Sequence, residues 1–181
     1  MIGCPRLSKL TLQDCWIDEC LLLPVSLEEL FIRRECVIHG AFPLSNLCGL
    51  TRLHCHLSLG CGLSADDLYG ILPSMSRLQT LELDLFEWGL PRLPPGSLRA
   101  VRYTLWAGWE PRDMQHVANT CQLPELQELM LLGRHKWAPH DLRSIKEIKE
   151  RSKPKITMKD NLTEADIIVM ERAFTHSSGS L

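Results

Sequence analysis

The segment HCHLSLGC, His54 to Cys61, carries the residue types of a metal site. Two histidines spaced two apart share one face of an extended chain, and both imidazoles could reach a single ion there. A tetrahedral site needs further donors. Cys55 alternates to the opposite face and Cys61 lies past the strand, so the remaining ligands would have to come from Glu82 and Asp84 in TLELDLF. The more ordinary expectation is a pair of imidazoles that titrate near neutral pH beside acidic neighbours, with no metal and no other cofactor.

Other chemistry has little support. The chain has no G-x-x-x-x-G-K-[ST], no G-x-G-x-x-G after a strand, no G-x-S-x-G and no H-E-x-x-H. Asp113 and His116 share a helical stretch, but Met114 and Val117 define its buried side and no nucleophile accompanies them. The lysine-rich run KEIKERSKPKITMK, Lys146 to Lys159, is interleaved with Glu147 and Glu150 and reads as a solvated helix face. The expectation is therefore a protein that is not an enzyme. A net charge of −2 gives no global attraction to nucleic acid or anionic membrane.

The totals fit one globular domain of 181 residues, 45% hydrophobic and 23% charged. No apolar run approaches the roughly 18–20 residues that span a bilayer, and MIGCPRLSK has neither a basic n-region nor an apolar h-region. The expected compartment is the cytoplasm. Eight cysteines form an even count, but several occupy positions that bury a side chain, and the expectation is reduced thiols. The NLT sequon at Asn161 is then expected to stay unmodified.

What could position these residues is a repeat. The segment CPRLSKLTLQDC places Leu7, Leu10, Leu12 and Cys15 in the pattern L-x-x-L-x-L-x-x-C. The pattern returns at Leu27, Leu30, Ile32; at Leu50, Leu53, Cys55; at Leu78, Leu81, Leu83; at Leu98, Val101, Tyr103; and at Leu126, Leu129, Leu131. A degenerate last copy has Lys153, Ile156, Met158 and Asn161. The seven copies are separated by 20, 23, 28, 20, 28 and 27 residues.

The long units have helical connectors. Leu68, Ile71, Leu72 and Met75 fall at i, i+3, i+4, i+7, after Ser64 and Asp67 at capping-box spacing. Met114, Val117, Ala118 and Cys121 repeat that spacing, and Leu142, Ile145 and Ile148 mark a third helix. The short units carry proline instead, in LLLPVSL and RLPPGSL, where extended or 3₁₀ segments should replace the helix. Thr163 and Asp166 open a predicted capping helix near 163–174 with Ile167, Met170 and Phe174 on one face, followed by a disordered polar tail at 175–181. The opposite end has no such cap over Leu7, Leu10 and Leu12, which suggests a C-terminal fragment of a larger protein, its edge covered by an upstream domain or partner chain. Trp88 falls at a core position, and Trp106, Trp109 and Trp137 form either a packed rim or an exposed aromatic ridge.

This pattern resembles the leucine-rich repeat, over residues 1–174. The resemblance implies an α/β horseshoe solenoid, with parallel strands on the concave face and alternating helices and irregular segments on the convex face. Unit lengths near 28 are similar to ribonuclease-inhibitor-type repeats, including those of NLR (NACHT and repeat) innate-immune receptors, where the horseshoe restrains an oligomerisation domain and contributes to ligand recognition. The cysteine-containing first copy is similar to repeats of F-box ubiquitin-ligase subunits, which recognise substrates. An autonomous scaffold or inhibitor is a third expectation. The implied function is protein recognition, with another protein as partner and neither nucleic acid nor membrane.

Strand alternation then selects a candidate binding face from the residues between the leucines. Arg33, Arg52, His54 and His56 form a basic patch, Glu82 and Asp84 an acidic row beside it, and Arg102 follows, with Phe31 and Met130 as apolar anchors. Such a face suits recognition by arginine and aromatic anchors; the alternative is a face whose opposite charges pair across strands.

Overall fold

The computed structural model describes residues 6–17, 23–33, 36–38, 47–57, 65–85, 91–105, 111–133, 136–160, 162–163 and 165–166. All seven leucine segments become strands: β1 (Lys9–Leu12), β3 (Glu29–Ile32), β5 (Arg52–Leu57), β6 (Thr80–Leu85), β7 (Ala100–Leu105), β8 (Glu128–Gly133) and β9 (Lys155–Lys159). They form one sheet in the order β1-β3-β5-β6-β7-β8-β9, every pair parallel. Two further strands, β2 (Trp16–Ile17) and β4 (Val37–Ile38), form a small parallel pair beside it. The architecture is α/β with an open parallel sheet.

The register is set by the spacing. Leu30, Leu53, Leu81, Val101 and Leu129 align along one line, and Ile32, Cys55, Leu83, Tyr103 and Leu131 along the next. All ten are fully buried and belong to one continuous core. The first leucine of four copies enters through a turn: the amides of Leu27, Leu50, Leu78 and Leu126 donate to the carbonyls of Pro24, Leu47, Met75 and Leu123 at 3.1–3.3 Å. In each of the first five units one carbonyl then accepts two amides from the next. Ser8 O receives Glu28 and Glu29, Glu28 O receives Thr51 and Arg52, Thr51 O receives Gln79 and Thr80, Gln79 O receives Arg99 and Ala100, and Arg99 O receives Gln127 and Glu128, at 2.8–3.1 Å. These bonds satisfy backbone groups that burial would otherwise leave costly.

The connectors follow the predicted division. Helices α1 (Ala65–Ile71), α2 (Pro111–Thr120) and α3 (Pro139–Arg151) occupy the three long units, and a 3₁₀ turn, Leu72–Ser74, continues α1. Leu68, Leu72 and Met75, then Met114, Val117 and Cys121, then Ile145 are buried in the core. Leu142 departs from expectation and is 46% exposed. Helix α3 is rotated so that Asp141, Ile145 and, partly, Ile148 face inward. In the described part of the short units no helix forms. Both use the same device: the hydroxyl of Ser26 donates to Leu7 O at 2.9 Å, and that of Ser97 to Leu78 O at 2.7 Å. Each ties the serine that closes a proline unit to the first leucine of that unit.

The capping box at 163–166 is formed: Thr163 N donates to Asp166 Oδ2 at 2.9 Å, and Asp166 N donates to Thr163 Oγ1 at 3.2 Å. Ile167, Met170 and Phe174 of the expected capping helix, the tail 175–181, Ser64, Asn161, Trp88, Trp106 and Trp109 lie outside the described residues. Trp137 is buried, which matches the packed-rim reading for that residue. Among the described residues no helix is long and apolar enough to cross a membrane.

Leu81 touches both neighbouring strands through its register partners Leu53 and Val101. Leu81→Ala should cost about 2–5 kcal/mol in urea denaturation. Leu81→Asp should abolish cooperative unfolding by burying an unpaired charge; a normally folded Leu81→Asp protein by circular dichroism would refute the register.

Candidate functional site

The face opposite the leucines is arranged in cross-strand rows. The middle row runs Thr11, Phe31, His54, Glu82, Arg102, Met130, Thr157. On one side of it lie Lys9, Glu29, Arg52, Thr80, Ala100, Glu128 and Lys155. On the other lie His56, Asp84, Thr104, Leu132 and Lys159. The predicted set is thus brought together, with the basic histidines beside the acidic pair.

Its exposure differs from expectation. Phe31, Arg52, His54, His56, Glu82, Asp84 and Arg102 are buried, and Glu82 and Arg102 have no accessible surface. Strands β6 and β7 are buried on both faces. Arg33 and Met130 are half-buried. An open charged surface at the centre of this face is therefore not what the fold provides. The physical reason is that opposite charges sit in register one strand apart, where they neutralise one another on leaving water.

Arg102 holds the centre. Its Nη2 lies 3.1 Å from Glu82 Oε2 and 3.4 Å from Asp84 Oδ1. Arg52 Nε lies 4.0 Å from Glu82 Oε1. His54 bridges both acids, with Nδ1 3.8 Å from Glu82 Oε2 and Nε2 3.2 Å from Asp84 Oδ2. His56 Nδ1 lies 3.5 Å from the same Asp84 oxygen. Burial by itself would raise the Asp84 pKa, but the Arg102 guanidinium and the hydrogen bonds from His54 and His56 outweigh it and hold the carboxyl well below 3.8. An ionised carboxylate only accepts, so the histidine nitrogens facing Asp84 are the protonated ones. Two arginines and two carboxylates thus share one buried cluster with the two imidazoles.

The rim of the cluster is apolar on one side. The Phe31 ring meets the His54 ring edge to face at 6.2 Å between centroids, and Lys9 Nζ sits 5.0 Å above Phe31 while pairing with Glu29 at 3.1 Å.

A histidine hydrogen-bonded to a carboxylate is half of a catalytic arrangement, but a nucleophile is needed to complete it. Cys55 belongs to the leucine-side core, and Thr104, in line with Asp84, is buried with its hydroxyl unbonded. Among the described residues no group of three His, Cys, Asp or Glu side chains could hold a metal ion. The cluster links side chains of β5, β6 and β7 across their shared register. On the leucine side, a groove of about 620 Å³ between α2 and α3 is lined by Met114, Ala118, Cys121, Leu123 and Ile148, with Glu147, Arg151 and Lys153 at its rim.

Sequence reasoning missed two buried acids. Asp113 and Asp141 are each 3% exposed. Each is the third residue of a helix that begins with proline, PRD in α2 and PHD in α3. A carboxylate in the first turn of a helix is favoured by its positive end, and Asp141 Oδ1 also lies 3.2 Å from His140 Nε2. The shared Pro-x-Asp signature was available in the sequence.

No family model matches the chain, and comparison with curated proteins and with solved structures found no match.

Arg102→Ala leaves Glu82 and Asp84 buried without their main counter-charge and should destabilise by about 3–5 kcal/mol, read as a shift of the urea midpoint. Because the folded-state pKa of Asp84 is depressed, its contribution to stability is present above the ordinary carboxylate range and lost as pH falls through and below 3.8. Asp84→Asn should flatten that acid limb in a pH series of denaturation curves; an unchanged limb would place the acid sensitivity elsewhere.

Proposed function

We propose that the chain is a leucine-rich-repeat solenoid of horseshoe form that works as a non-catalytic protein-recognition module. The observation that carries this is the match of seven L-x-x-L-x-L segments to seven consecutive parallel strands, leucine on leucine in register. An array of this kind displays one row of side chains per unit on a continuous surface, which suits a macromolecular partner.

The burial pattern supports a contact at the two ends of that surface. Lys9, Thr11, Glu29 and Arg33 remain accessible at the β1–β3 end, and Glu128, Met130, Lys155, Thr157 and Lys159 at the β8–β9 end. The buried centre keeps the two ends at a fixed spacing. Of the residues first expected to bind, Arg33 and Met130 are the ones that can touch a partner directly; Phe31, Arg52, His54, His56, Glu82, Asp84 and Arg102 act as support.

The 27–28-residue helical units favour the sensor region of an NLR-like receptor, acting in the cytoplasm and without cofactor. The cysteine at the end of the first copy, Cys15, favours the second reading, a substrate-recognition domain of an F-box ubiquitin-ligase subunit.

Photo-crosslinking residues placed at Met130, Thr157 and Arg33, with Lys146 on the outer side of α3 as control, test this in cells. Discrete protein adducts should form from the strand-face positions and be lost with Lys155→Glu. Adducts from Lys146 alone would remove the proposed face. A turnover activity abolished by one substitution at His54, His56, Glu82 or Asp84 in a protein that still folds would replace recognition by catalysis.

A further inference from the structure

Two thiols meet where the first two units join. After β1 the chain turns a corner at Asp14, whose φ of 50° lies in the left-handed region that a short polar side chain tolerates. The corner leads into β2, which pairs with β4 as Trp16 with Val37. Partners are offset by twenty residues in β1–β3 and by twenty-one in β2–β4. The second unit thus holds one extra residue, and this brings Cys36 opposite Cys15. Their sulfurs lie 3.6 Å apart, both thiols are reduced, and Val37 N donates to Cys15 O at 2.9 Å beside them.

We infer that Cys15 and Cys36 are a redox-active pair, which closes to a disulfide by exchange with a small-molecule disulfide of the glutathione type. The sulfurs need to approach by roughly 1.5 Å to reach a bond length of about 2.05 Å. Cys15 is half-buried and Cys36 is 2% exposed, so reagent reaches Cys15 first. The Cys15 thiolate attacks one reagent sulfur; the reagent S–S bond breaks and one thiolate leaves, taking the proton that Cys15 gave up. Cys36 then loses its proton and attacks Cys15 Sγ, and the second reagent thiolate leaves. Two protein thiols have been oxidised by two electrons, and one small disulfide has become two thiols. The second step is the slow one, because burial and the hydrogen bond with Cys15 push the Cys36 thiol up to about 11. The new bond staples units whose cysteines are 21 residues apart, next to the exposed indole of Trp16, and fixes how that ring is presented.

The test equilibrates the reduced full chain with a mixture of oxidised and reduced glutathione, alkylates the remaining thiols and locates the bond by tandem mass spectrometry. The expected product is the wild-type chain lighter by two hydrogens, with Cys15 bonded to Cys36 and its formation faster at mildly alkaline than at neutral pH. Cys15→Ser and Cys36→Ser should each lose the bond, whereas Cys20→Ser and Cys48→Ser should retain it. In urea the yield should fall, because folding supplies the proximity. A lasting glutathione adduct on wild-type Cys15, or a crosslink that survives Cys36→Ser, would overturn the assignment; the wild-type fragmentation decides the matter even where a variant fails to fold.

Discussion

In-register parallel pairing is the constraint from which the rest of this structure follows. A parallel sheet in sequence order stacks like positions on like positions, so one residue choice per unit is repeated along an entire line. Leucine-type residues between and within the copies therefore form an unbroken apolar ladder from β3 to β8. The same rule acts on the other face, where a repeated charge would stack on itself and be repelled. The chain avoids this by changing residue type from strand to strand, with Glu82 set between His54 and Arg102.

That alternation turns a liability into a specifying device. Four formal charges and two imidazoles are buried over three strands, and each carboxylate has at least two cationic or hydrogen-bonding neighbours. Such a cluster adds little net stability over an apolar equivalent, but a slipped register would leave its charges unpaired in a dry environment. The leucine ladder drives the stacking, and the charged rows penalise misalignment. The half-buried and exposed residues lie at either end of the face, with Met130 and Arg33 among them.

Much of this was legible in the residues. The spacing of Leu78, Leu81 and Leu83 and its six counterparts placed all seven main strands, and the i, i+3, i+4 pattern placed α1, α2 and α3. The pairing of the histidine and acidic rows followed from alternation and copy number. Burial did not follow: sequence gives the side on which Glu82 points, not whether water reaches it. Helix α3 misled because Leu142 looked like the stronger core residue than Asp141, yet the carboxylate turned inward at the helix start. The Cys15–Cys36 contact was hidden by a single extra residue, which shifts the repeat offset and which a fixed template does not register.

The most direct measurement is a map of cross-strand backbone nuclear Overhauser contacts in the isotopically labelled chain. Glu82 should show contacts to His54 on one side and Arg102 on the other, with His56 facing Asp84 in the same set. Contacts pairing Glu82 with Cys55, or an antiparallel pattern anywhere in β5–β7, would contradict the in-register parallel stack on which the core, the charged cluster and the proposed binding face all depend.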